Sequence, residues 1–184
     1  MLRIGILNFI IMNTILRILF CTVLFFSCKK DDAKPKGIEF YLLENPQNVK
    51  SCEDFDASSQ SILNTPLIVD TDILNYDWKE HNIVLKESAY NKLKNYKDEK
   101  KVAIYPLVLT INGEKIYGLF YKFSILAQGC RSTLISENDF GPTGGKMEYS
   151  IVHGQVYDRS TLGKDPRGDK RIYDYLKSTG RLVE

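Results

Sequence analysis

Four cysteines, two histidines and a scatter of aspartates are the side chains of this 184-residue chain that could do chemistry. The imidazoles are His81 and His153, and Trp78-Lys79-Glu80-His81 is a compact polar cluster around the first. They lack the His-Glu-x-x-His spacing that puts two ligands on one helical face. A zinc site would need His81, His153 and Asp70 or Asp72 to converge from separate elements. The plainer reading makes Trp78 an anchor for the strand that follows, with His81 at its polar start. Asp70, Asp72 and Asp77 offer oxygens to calcium, but not in the pattern of a calcium loop with its fixed Gly and terminal Glu. Capping and turn roles explain Asp70 and Asp72. Gly141-Pro142-Thr143-Gly144-Gly145-Lys146 misses the phosphate-loop spacing by one residue, and Met147 stands where Ser or Thr is required. Beyond Cys28 there is no Gly-x-Ser-x-Gly elbow and no Ser-x-x-Lys. A Cys130 thiolate favoured by Arg131 and served by a histidine is the remaining nucleophilic arrangement. No residue is assigned as catalytic or as a metal ligand, and no cofactor is called for. The chain reads as uncertain for catalysis, leaning away from it.

The strongest signal lies upstream. Arg17 leads into an apolar stretch, 18–26, of the length a signal peptide uses. Ser27 supplies the small residue next to a cut, and Cys28 follows. Leu24-Phe25-Phe26-Ser27-Cys28 resembles the lipobox of bacterial lipoproteins, with Phe25 where Leu is usual. The resemblance implies a signal at 1–27, S-acylation of Cys28, and attachment to a membrane through that lipid. Several acyl chains, at roughly 0.8 kcal/mol per buried methylene, make a stable anchor. Met12 offers a second start that leaves a shorter signal. The alternative is an uncleaved span over 4–27, long enough to cross, but placing Arg17 in mid-bilayer costs roughly 2.5–3.5 kcal/mol. Lys29, Lys30, Asp31 and Asp32 after the cysteine resemble the surface-export signal of Bacteroidetes lipoproteins. That resemblance implies the outer leaflet of the outer membrane; a solvated tether over 28–37 is the plainer reading.

Removing the signal alters the charge balance. The whole chain carries a formal +2, and Arg3 and Arg17 are the charges before Cys28, so the remainder balances at 23 acidic and as many basic residues. No electrostatic case remains for nucleic acid. About 150 residues are left, enough for one domain with its own core. In an oxidising compartment Cys52 and Cys130 are candidates for a disulfide; the alternative is two buried free thiols.

These residues have to be positioned by the domain at 38–184. Residues 38–43 read as a first strand, 82–86 as a second, and Ser88 as the cap of a helix running to about Tyr96. Asp70-Thr71-Asp72 predicts a brief helical turn at Ile73-Leu74. Asn112-Gly113 between the runs 102–111 and 116–123 predicts a type I′ hairpin. Residues 133–136 and 147–152 add strands, with Tyr157 as an extension of the last. Asp169 caps a final helix over 171–178 that Gly180 ends. The fold class is α+β: a mainly antiparallel sheet of five or six strands with two helices in a single domain. Eleven tyrosines stand out. Tyr117, Tyr121 and Phe123 share one strand face, and such a face suits a protein or glycan ligand or a half-buried sheet.

The order Asp72-Ile73, Ile83-Val84-Leu85, the helix 89–93, then Leu107-Val108-Leu109-Thr110-Ile111-Asn112-Gly113-Glu114 resembles the periplasmic head domain of the SecD and SecDF translocase subunits. It covers about 70–135, with Asn112 where Asp is usual. It implies a similar local fold and an accessory role in a translocation or assembly machine, and no catalytic residue carries over. The functional expectation is a lipid-anchored envelope module that binds a partner without catalysis; the alternatives are that accessory role and an envelope hydrolase with a site around His81 or His153.

Overall fold

The computed structural model describes residues 37–122, 129–137, 144–156 and 158–184. The expected signal, the alternative start at Met12, Cys28, the quartet Lys29, Lys30, Asp31 and Asp32, and Phe123, 138–143 and Tyr157 lie outside them. The described residues fall within the compact unit Lys34–Glu184.

Ile38–Leu42 (β1) opens the domain with every residue buried. It pairs antiparallel with Ile104–Ile111 (β4). Asn112 and Gly113, at φ 51° and 83°, turn β4 into Glu114–Lys122 (β5). Both left-handed values are what a type I′ turn requires. Pro106 lies just past the last β1 pair, Leu42 with Leu107, and so takes no N–H from that ladder. Ile73–Asp77 (β2), Asn82–Lys86 (β3), Cys130–Glu137 (β6), Lys146–Gln155 (β7) and Leu182–Val183 (β8) complete one sheet. Its order is β1-β4-β5-β6-β7-β3-β2-β8. Two neighbours are parallel, β5 with β6 and β2 with β8; the others are antiparallel.

The fold is therefore α+β and mostly antiparallel, but with 8 strands rather than five or six. The two unexpected strands are β2 and β8. Asp70–Asp72 is the helical turn, a short 3-10 piece, and Ile73 starts a strand instead of continuing it. Ile73 and Tyr76 are buried and Leu74 is exposed, so the residues serve pairing with β3. β8 is two residues long and forms because the β2 edge accepts it.

Both helices pack on the same sheet face. Glu87–Lys100 (α1) runs four residues further than the expected end and has no side-chain cap. Ser88 lies inside it, with its hydroxyl on Asp72 at 3.3 Å. Lys170–Ser178 (α2) is capped by Asp169, which accepts from the Arg171 amide. It ends in a Schellman pattern: Gly180, φ 68°, donates to Lys177 and Arg181 to Leu176. Ile38 and Phe40 of β1 and Ile73 and Tyr76 of β2 line a small internal cavity with Ile172 and Leu176. Distant strands thus meet on α2, so the sheet bends around that helix.

Alternation sorts β4 and β5 onto two faces. Leu107, Leu109, Tyr117, Leu119 and Tyr121 join the helix-side core, while Val108 and Phe120 point the other way. The opposite face is covered by an excursion over 44–66. Its Phe55 packs there with Cys52, Phe120, Cys130 and Leu134, and its Ala57 and Ile62 with Leu43 and Val108. The tyrosine face of β5 is buried in the main core: Tyr117 and Tyr121 are 7% and 0% exposed. Tyr105 stacks on Tyr121 at 4.9 Å. These tyrosines fill the interior and offer no docking surface.

Candidate functional site

β5 and β6 stay paired only over Phe120–Lys122 and Leu134–Ser136 among the described residues. Upstream of Phe120 the two strands splay, and β6 is irregular between Cys130 and Thr133. Two segments enter the gap from opposite sides, 52–57 of the excursion and 163–166 of the loop between β7 and α2. They enclose a cleft of about 230 Å³.

One wall carries Asp54, Phe55 and Asp56. Phe55 lies directly on Gly118 of β5; any Cβ at Gly118 would run into its ring. The ring also meets Phe120 edge-on at 5.6 Å, a pairing worth about 0.5–1.5 kcal/mol beyond its buried area. Asp56 caps the short 3-10 turn Ala57–Ser59 through the Ser58 amide at 2.9 Å. The Cys52 and Cys130 sulfurs pair behind this wall, with Cα atoms 4.6 Å apart.

The other wall carries Gly163, Lys164 and Pro166, with His153 and Thr133 at its base. His153 Nε2 lies 3.1 Å from the Gly163 carbonyl, and Nδ1 lies 3.2 Å from the Thr133 hydroxyl. A carbonyl only accepts, so Nε2 carries the hydrogen, and in the neutral ring Nδ1 accepts from Thr133. Below, Arg167 forks onto Asp165 (Nε–Oδ1 2.9 Å, Nη2–Oδ2 2.6 Å) and donates to the Ile151 carbonyl at 2.8 Å. These hydrogen bonds hold the Asp165 carboxyl down at about 2. At the mouth the walls approach: a Cβ on Gly163 would lie 3.3 Å from the Asp54 carboxylate.

The other candidate residues are employed elsewhere. His81 sits at φ 55° in the turn between β2 and β3, its Nδ1 2.7 Å from the Tyr76 hydroxyl. Burial, and then the Arg167 charge, push its titration below the usual histidine range. Trp78 packs beside it and against Tyr173. The two histidines serve different hydroxyls and do not converge on a carboxylate. Asp70 accepts from the Ile38 amide and pairs with Arg181 at 2.8 Å. Asp72 pairs with Lys92 at 2.7 Å. Asp77 accepts from the Lys79 and Glu80 amides. Among the described residues no three His, Cys, Asp or Glu form a group that could hold a metal ion. Gly144 and Gly145 form a turn whose Gly145 carbonyl accepts from the Glu87 amide.

Sequence reasoning placed His153 among the candidates but missed Asp54, Phe55, Thr133 and Lys164. Gly118 was the available sign, since a glycine inside a strand marks the close approach of another group. The chain matches no protein-family model, no curated protein and no solved structure.

Proposed function

We propose that this protein is a lipid-anchored module of the cell envelope, held at the outer membrane through Cys28 and acting by binding rather than by catalysis. The cleft between β5 and β6 is its ligand site, and a polar ligand, protein or glycan, is its partner. One observation carries the reading: Asp54, Asp56 and Lys164 line a cleft together with the Phe55 ring, and its histidine already has a partner on each ring nitrogen. An aromatic ring beside polar groups of both signs suits orienting a ligand. The location rests on the sequence from Arg17 to Asp32, and the charged quartet Lys29, Lys30, Asp31 and Asp32 extends it to surface exposure.

The hydrolase reading has one observation in its favour. Thr133 hydroxyl, His153 and the Gly163 carbonyl stand in the order of nucleophile, base and orienter. Against it, Thr133 is 1% exposed within β6, which leaves its oxygen no approach to a scissile bond. The anchor is tested with Cys28→Ala. Metabolic acyl labelling and membrane retention should both disappear; labelling equal to that of the unaltered chain contradicts the assignment.

A further inference from the structure

We infer that joining Cys52 to Cys130 completes the cleft, so that the site has one loose wall in the reduced chain and is finished only when the two thiols are oxidised. The inference rests on the cleft being the ligand site and concerns how that site matures.

The excursion has two halves, held differently. The later half is tied to the sheet by ordinary contacts. Leu63 donates to Leu42 of β1 at 2.9 Å, and Lys115 Nζ of β5 to the Gln60 carbonyl at 2.5 Å. Ala57 and Ile62 pack with Leu43 and Val108. The earlier half, 50–56, reaches the sheet through the Arg131 amide on the Cys52 carbonyl, 2.9 Å, through Phe55, and through the sulfur pair. Cys52 itself is left-handed at φ 60°. That conformation is disfavoured for a residue with a Cβ and persists only where its surroundings impose it. Without the covalent tie, among the described residues the stretch carrying Asp54 is held to the sheet by the Arg131 amide and the Phe55 ring, while Asp56 stays fastened to the turn Ala57–Ser59.

Oxidation proceeds by exchange with a disulfide-bearing oxidant of the envelope. A thiolate of this chain attacks the oxidant's disulfide, and the second cysteine displaces it. One S–S bond forms as another breaks, and the two electrons and two protons leave with the oxidant, now a dithiol. In the product Cys52 and Cys130 are 4% and 1% exposed. A thiol reductant then has little access, which makes this a maturation step rather than a reversible toggle.

Hydrogen exchange on the processed chain carrying Cys28→Ala, without ligand, tests the inference. The Cys52→Ser/Cys130→Ser double variant is compared with the oxidised protein, and the parent protein reduced with a phosphine is the second comparison. Amides at 50–56 should exchange at least about tenfold faster in both and through local opening, at a rate that low denaturant leaves unchanged, while β4 and β5 exchange only through denaturant-dependent global unfolding. Unchanged exchange at 50–56 overturns the inference. So does exchange at 50–56 with the same denaturant dependence as β4 and β5, since the segment would then open only with the whole domain, or two alkylatable thiols in protein isolated from the envelope. If the oxidised protein passes these tests yet binds no probe at the cleft, the ligand-site reading fails alone.

Discussion

The two walls of the cleft face each other across a few ångströms and are held by opposite means. The 52–57 wall rests on a sulfur pair, one backbone hydrogen bond and an aromatic ring seated on a glycine. The 163–166 wall rests on His153 and on an arginine that forks onto Asp165 while it caps a β7 carbonyl. The first kind of support is indifferent to pH and salt and depends on the redox compartment. The second is electrostatic, so it responds to charge removal and acid and is indifferent to reductant. A cleft built from one wall of each kind needs an oxidising environment and a pH above the titration of Asp165 to keep its shape. That combination is what the envelope location proposed for Cys28 would provide.

Breaking the covalent wall should have the largest effect. Cys52 and Cys130 are 78 residues apart, and the chain-entropy treatment of so long a loop gives about 4.5 kcal/mol at most for their union. The double serine variant should show that loss as a lower denaturant midpoint. Next comes the electrostatic wall. Arg167 is 19% exposed and serves both Asp165 and the Ile151 carbonyl, so Arg167→Met should cost about 2–3 kcal/mol. Its exchange signature should appear at 163–166 and spare 50–56, the mirror image of the cysteine variant. If either variant loosens both walls equally, the comparison between them is wrong.

Acid should give the smallest effect. Asp165 sits at about 2 in the folded chain, below the ordinary 3.8. A lowered carboxyl stabilises the fold above its unfolded value, and the contribution fades as pH falls from near 4 through about 2. Asp165 is 41% exposed, and screening leaves about 1 kcal/mol or less. Denaturant midpoints at pH 5 and pH 2 should therefore differ less for Asp165→Asn than for the parent. Equal differences would show that Arg167 and Asp165 are not coupled.

How far the sequence reached depends on which forces were local. The hairpin at Asn112-Gly113, the Asp169 cap and the Gly180 stop depend on neighbours within a few residues, and all three appear where the residue types place them. β2 and β8 do not, because β8 is too short to show periodicity and Ile73–Asp77 becomes a strand by pairing with β3 and β8. Ser88 looked like a cap, yet its hydroxyl goes to Asp72, a contact across elements. The tyrosines gave the alternation of β5 correctly but not which face the helices would cover. The cleft was the least legible part. It arises where two parallel strands part company, and the residues that fill the gap come from 52–57 and 163–166, each polar and unpatterned by itself. His153 was visible as a candidate; its commitment to Thr133 and Gly163 required the tertiary structure.

The central claim, a binding cleft between two differently held walls, is tested most directly by an NMR titration of the isotope-labelled processed chain carrying Cys28→Ala. The probes are chitotriose and a pool of short charged peptides, each followed by amide shifts and by product analysis. One class of probe should perturb 54–57, 116–118, Thr133, His153 and 163–166 together, with the probe recovered intact. Perturbation confined to other surfaces, no perturbation by either class, or cleavage of the probe would contradict it.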